Sequence, residues 1–120
     1  MSTKNDEFIR WFNEVDNTAV ASVGGKNASL GEMIKYLKPM GINIPLGFAT
    51  TAKAFERYLS ENKLRESIQK QLDLYHQDEC SLEEAGRAIR SLILEGTFSR
   101  DMTENIRQAY GDLCREYDMD

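Results

Sequence analysis

Only one histidine, His76, and two cysteines, Cys80 and Cys114, occur in the sequence, and none sits in a CxxC or Cys/His pattern. Structural zinc sites need such short ligand spacings, so a metal site built on these three residues is not expected. Free thiols in a reducing compartment are the expected state of both cysteines. Long apolar runs are also missing. No stretch approaches the roughly 20 residues that span a bilayer. The opening MSTKNDEF lacks the apolar segment of a secretory signal. A cytoplasmic protein without a membrane partner is expected, and the glycosylation sequon at Asn27-Ala28-Ser29 is then a chance match. Positive charge is scarce, with 15 Lys and Arg against 20 Asp and Glu, a net charge of −5. Bulk binding to nucleic acid needs a basic footprint, so no nucleic-acid partner is expected. The two prolines, Pro39 and Pro45, flank one short loop, and no repeat or low-complexity linker is visible.

What is present is ordinary for a soluble globular domain. The 120 residues are 41% hydrophobic and 29% charged, which suits one domain, 1–120, with one core. FIRWF, Phe8 to Phe12, reads as a strand, with a short helix as the alternative. Leu30, Met33, Ile34 and Leu37 form an apolar stripe at helical spacing, on a helix expected to start near Asn27 or Ala28 and to stop at Pro39 and Gly41. FATT reads as a second short strand. Thr50 or Thr51 can cap the helix after it, which would bury Phe55, Tyr58 and Leu59. A further helix over about Leu64 to Tyr75 aligns Leu64, Ile68 and Leu72. Ser81-Leu82-Glu83-Glu84 is a capping box, opening a helix with Ala85, Ile89, Leu92 and Ile93 inward that ends at Gly96. Ser99 can cap the last helix, with Met102, Ile106, Ala109 and Leu113 as its stripe. The fold class is α+β, mostly helical, with about five helices and one or two short N-terminal strands. Two short strands alone make a marginal sheet. Either helices cover it, or further chain completes it.

The stretch SVGGKNASLGEM, Ser22 to Met33, carries the main chemical signal. Backbone N–H groups at a glycine turn can approach phosphate oxygens because no side chain intervenes. A helix N-terminus adds about half a positive charge, and a lysine adds a full one. Gly24, Gly25 and Lys26 offer all three. The spacing is not a Walker A loop: Val20 stands where its first glycine belongs, and Asn27 stands where Ser or Thr would hold a metal. It is not GxGxxG either. From the residues alone, a phosphate loop and a plain glycine turn with an exposed lysine both remain open. Glu32 and Glu56 fit solvated helix-surface carboxylates. Asp78, Glu79, Glu83 and Glu84 fit a loop and a favourably charged first turn.

Two stretches read together narrow the choice. VGGKNASLGEM, followed after a short spacer by GINIPLGFATTAKAFERYL, resembles the N-terminal region of phosphoenolpyruvate synthases. It resembles more loosely the pyruvate phosphate dikinases and other dikinases that share their nucleotide-binding domain. The likeness covers roughly Phe8 to Tyr110 and is densest from Val23 to Leu59. IRQAYGDL near the C-terminus adds to it. The resemblance implies the first part of an ATP-grasp-like domain. It also implies an enzyme that converts ATP, pyruvate and water to AMP, phosphoenolpyruvate and phosphate, with Mg²⁺ and a phosphohistidine on a separate domain. It implies that Lys26 contacts the nucleotide phosphates, that Gly24 and Gly25 shape the loop, and that Thr50 and Thr51 lie near the same cleft.

Other elements of that family pattern are missing from these residues. The next motif, a strand ending in Arg-Ser-Ser, should begin shortly after Asp120. The acidic metal ligands, the Thr-Cys-His setting of the phosphohistidine and the pyruvate-binding barrel are not found. The expectation is a partial domain, with Mg²⁺ bound elsewhere in the full-length enzyme, the remainder of the ATP-grasp domain as its partner, and a homodimeric enzyme as one arrangement. Lys26 and one or two amides, each bond contributing about 1.5–3 kcal/mol, scarcely offset an association cost of about 4–15 kcal/mol. The chain alone is expected to bind ATP no tighter than about millimolar and to be inactive. A stand-alone phosphate-binding module and a helical interaction protein are the alternative readings.

Overall fold

A computed structural model describes residues 8–118. The reading of the N-terminus as free of a signal and the last residues of the DMD end fall outside these. Among the described residues there are two short strands, β1 (Ile9–Trp11) and β2 (Phe48–Thr50), and six α-helices. The helices are α1 (Val20–Val23), α2 (Gly25–Leu37), α3 (Ala52–Glu61), α4 (Arg65–His76), α5 (Leu82–Glu95) and α6 (Arg100–Glu116). The mostly helical α+β class is therefore as the sequence implies. These elements form two compact units: residues up to Phe55 together with those from Arg100 onward, and Glu56–Ser99.

In the first unit β1 and β2 pair antiparallel, with Ile9 opposite Thr50, Arg10 opposite Ala49 and Trp11 opposite Phe48. Alternate residues of a strand point to opposite faces, and helices cover both faces here. Phe8, Ile9, Ala54, Met102 and Ala109 form one buried cluster, with Trp11, Phe48 and Ile106 against it. This cluster seats α6 on one face. Val15, Val23, Ala28 and Ala49 form another, flanked by Phe12 and Ala19. Helices thus pack against both faces of the marginal two-stranded ribbon. The end of the loop that leads into β2 is held twice: Phe12 N–H donates to the Gly47 carbonyl at 2.9 Å, and Leu46 N–H donates to the Tyr117 hydroxyl.

The second unit has its own small core of Tyr58, Leu59 and Leu64, with Ile68, Leu92 and Ile93 packed on it. The Tyr58 hydroxyl donates to the Ile93 carbonyl at 2.6 Å. Asn62 and Thr97 exchange two hydrogen bonds at 2.8 and 2.9 Å, which satisfies the chain where α5 ends. The capping box forms as its sequence predicts. Ser81 Oγ accepts from Glu84 N–H and Glu84 Oε1 accepts from Ser81 N–H, both at 3.1 Å.

Three expectations are corrected by packing. α2 begins at Gly25 rather than at Asn27 or Ala28, because the Gly24 carbonyl already accepts from Ala28 N–H at 3.0 Å. Its buried residues are Ala28, Gly31 and Ile34, whereas Met33 is 38% exposed. Small residues face inward because the neighbouring backbone comes very close there. In α3, Phe55 is 52% exposed and Ala54 is buried in its place.

Candidate functional site

The glycine-lysine stretch lies at a sharp corner between two helices. α1 ends where Gly24 N–H donates to the Val20 carbonyl at 2.8 Å, and α2 begins where the Gly24 carbonyl accepts from Ala28. One residue therefore closes one helix and opens the next. Gly24 does so at φ 83° and ψ 164°, a region that is essentially glycine-only and costs other residues about 1–3 kcal/mol. Neither the periodicity nor the propensities point to the one-turn helix α1 before it.

The first turn of α2 is open chemically. A helix leaves its first N–H groups without intrahelical acceptors. Gly24 brings no side chain to cap them, and no acceptor for the N–H groups of Gly25, Lys26 or Asn27 occurs among the described residues. A Cβ placed on Gly24 or Gly25 would meet nothing within 4 Å, so the approach to these amides is clear. Lys26 is exposed and forms no ion pair among the described residues. The Asn27 side chain turns away from the opening: its Nδ2 donates to the Val23 carbonyl at 2.8 Å and ties the end of α1 to the start of α2.

The second motif is brought to the same corner. Val23 and Ala28 bracket Gly24 to Lys26 and pack in one cluster with Ala49 of β2, the residue before Thr50. The two threonines take different places. Thr50 is exposed at the end of β2, while Thr51 is 3% exposed. The Thr51 hydroxyl accepts from Ala54 N–H at 3.1 Å, which is the capping role that its position before α3 allows.

The turn ahead of α1 is built by Asp16. Its Oδ1 accepts from the N–H and the hydroxyl of Thr18, at 2.9 and 2.5 Å, and its Oδ2 accepts from Lys35 Nζ at 3.4 Å. Asp16 two residues before Thr18 is an Asx-turn pattern visible in the sequence. The Thr18 hydroxyl, then its N–H, and then Lys35 hold the Asp16 carboxyl below its usual range. A carboxyl with a lowered folded pKa stabilises above its unfolded value, and that contribution is lost as pH falls through the folded one. Denaturant midpoints are therefore expected to drop below about pH 4, and Asp16→Asn is expected to shrink the difference between pH 7 and pH 3. An unchanged difference in the variant would remove Asp16 from the acid response.

Glu32 is not a free surface acid as its helical position suggests. Its Oε2 accepts from Asn17 N–H at 2.9 Å. Among the described residues no group of three or more His, Cys, Asp or Glu could hold a metal ion. No helix among them is long and apolar enough to cross a membrane.

Comparison with known proteins gives this corner its family. Residues 20–120 match the model of the pyruvate phosphate dikinase AMP/ATP-binding domain. The chain is 42% identical over 115 residues to phosphoenolpyruvate synthase of Synechocystis sp., covering 95% of the chain. It is 40% identical over 115 residues to that of Aquifex aeolicus, again over 95% of the chain. With the Escherichia coli enzyme the figures are 42% over 109 residues and 90% of the chain. The chain spans only 13–14% of the length of these curated relatives. With the family model matched over residues 20–120, this chain belongs to the pyruvate phosphate dikinase AMP/ATP-binding domain family.

Proposed function

We propose that this chain supplies the phosphate-gripping corner of the nucleotide-binding domain of a phosphoenolpyruvate synthase, an enzyme that turns ATP, pyruvate and water into AMP, phosphoenolpyruvate and phosphate. Residues 1–120 are then one partial ATP-grasp domain, to which both compact units belong. Lys26 Nζ and the amides of Gly25, Lys26 and Asn27 donate to phosphate oxygens. Gly24 sets the turn, Thr50 borders the cleft, and Thr51 holds the start of α3 beside it. The chain positions phosphate and offsets its charge. Mg²⁺, pyruvate and the remaining nucleotide contacts belong to other parts of a cytoplasmic, homodimeric full-length enzyme, and the chain alone is inactive.

Gly25 is the observation that carries this reading. It is helical and has open space around its missing side chain, so nothing in the fold requires a glycine there. Glycine in a helix costs about 0.5–1 kcal/mol relative to alanine, and the uncovered amides beside it supply the reason. Titration of Mg-ATP into the chain, followed by amide NMR, is expected to give shifts at Gly24 to Ala28 at millimolar concentrations. Gly25→Ala is expected to be as stable as the parent or more so, by up to about 1 kcal/mol, and to lose most of that response. Equal responses from both proteins, or none from the folded parent, would overturn the phosphate role of this corner. AMP formation by the chain alone would overturn its predicted inactivity.

A further inference from the structure

We propose that Glu32 is a positioning residue for the Gly24 to Lys26 corner, acting through Asn17; its effect on nucleotide rests on the phosphate-grip reading above. Two consecutive residues, Asp16 and Asn17, are fastened to α2 within one turn. Asn17 N–H donates to Glu32 Oε2 at 2.9 Å, and Lys35 Nζ donates to Asp16 Oδ2 at 3.4 Å. Just before them the Val15 carbonyl lies against Gly31. From Asn17 the chain runs through a 3₁₀ turn, Asn17–Ala19, then α1, then Gly24, and returns along α2 to Glu32. The hydrogen bond closes this path into a ring.

Within that ring Gly24 is the residue between two helices and the one with a positive φ, so it is the soft point. With Asn17 pinned to α2, α1 cannot swing about Gly24 unless the Glu32 bond breaks. The direction of α1 fixes the Val23 carbonyl, and Asn27 Nδ2 binds that carbonyl at 2.8 Å in the very turn whose amides face outward. Glu32 does not itself reach phosphate. It follows Gly25 by seven residues, about 10 Å along the axis at 1.5 Å per residue, and its negative charge would repel an anion.

The test uses Glu32→Ala and Glu32→Gln. Glutamine keeps an oxygen that can accept from Asn17 N–H and removes the charge. In the ligand-free chain, hydrogen exchange of Gly24 N–H and Ala28 N–H, the bonds on either side of the hinge, is expected to rise about tenfold in Glu32→Ala. In Glu32→Gln it is expected to stay within about twofold of the parent. The Mg-ATP response of the corner should weaken by a similar factor in the alanine variant and persist in the glutamine one. Lys35→Ala leaves the Asn17 bond and tests the outer fastening, with an expected rise of about threefold. Unchanged exchange in Glu32→Ala would overturn the proposal. So would equal damage from glutamine, because the charge would then be what matters. A parent chain deaf to Mg-ATP would overturn the phosphate reading, while the exchange result would still judge the clasp.

Discussion

Gly31→Ala is expected to lower the melting temperature of this chain by about 8–16 °C. The usual rule runs the other way, since alanine in place of a helical glycine gains about 1 kcal/mol. Here the new Cβ would lie 2.1 Å from the Val15 carbonyl oxygen and 2.6 Å from Val15 Cγ2. The nearer atom belongs to the backbone and cannot turn aside as a flexible side chain would. Residues 15–17 are fixed to α2 on the same side, so relief requires the strand-to-helix connection to move as a whole. Overpacking of this kind costs about 3 kcal/mol, which exceeds the propensity gain. Each kcal/mol shifts the transition by roughly 4–8 °C in a domain of this size. Gly111→Ala is the control. Its Cβ would meet only the end of the Arg115 side chain, at 3.6 Å, and a rise of a few degrees is expected. Thermal unfolding followed by circular dichroism measures both. A Gly31→Ala protein as stable as Gly111→Ala would mean that the close approach of α2 to Val15 is not what holds this corner.

Lys26→Ala is expected to weaken the Mg-ATP response by about 10- to 150-fold while leaving stability within about 0.5 kcal/mol. The first figure follows from a charged hydrogen bond contributing about 1.5–3 kcal/mol, at 1.4 kcal/mol per tenfold. The second follows because Lys26 is exposed and forms no ion pair among the described residues, and such surface changes are small. Millimolar binding by the parent would move beyond reach in the variant. Lys38→Ala alters an exposed lysine at the far end of α2 and is expected to leave the response intact. Amide NMR titrations of the three proteins under one ionic strength provide the comparison. Equal losses from both lysines would reduce the effect to net charge, and no loss from Lys26 would sever it from phosphate.

Local signals in the sequence were sufficient for much of the fold. The strand within Phe8 to Phe12, the capping box at Ser81 to Glu84, and the stripe of Met102, Ile106, Ala109 and Leu113 all depend on neighbours in the chain; the strand forms at Ile9–Trp11, with Phe12 opening a 3₁₀ turn, and the other two appear in place. The glycine turn at the start of α2 was legible for the same reason, because it too is set by adjacent residues. The inward face of α2 was legible only at Ile34. Leu30, Met33, Ile34 and Leu37 are the hydrophobic choice on spacing, but which face is buried depends on what packs against it. Ile34 of that stripe is buried, but Gly31 meets the Val15 backbone and Ala28 packs in one cluster with Val15, so small residues share the inward face.

The roles of individual polar residues divide along the same line. Sequence alone determined that Gly24, Gly25 and Lys26 lie at the start of a helix, and that Thr50 or Thr51 could cap the next one. Tertiary structure decided between the threonines by burying Thr51 and leaving Thr50 outside. It also decided that Glu32 is fastened to Asn17, fifteen residues earlier, and that Ala49 brings the second motif to the first. The physical reason is range. Capping, turn conformation and helix-end charge act within one turn of chain, whereas burial and side-chain pairing are set by segments that meet only when the chain has folded.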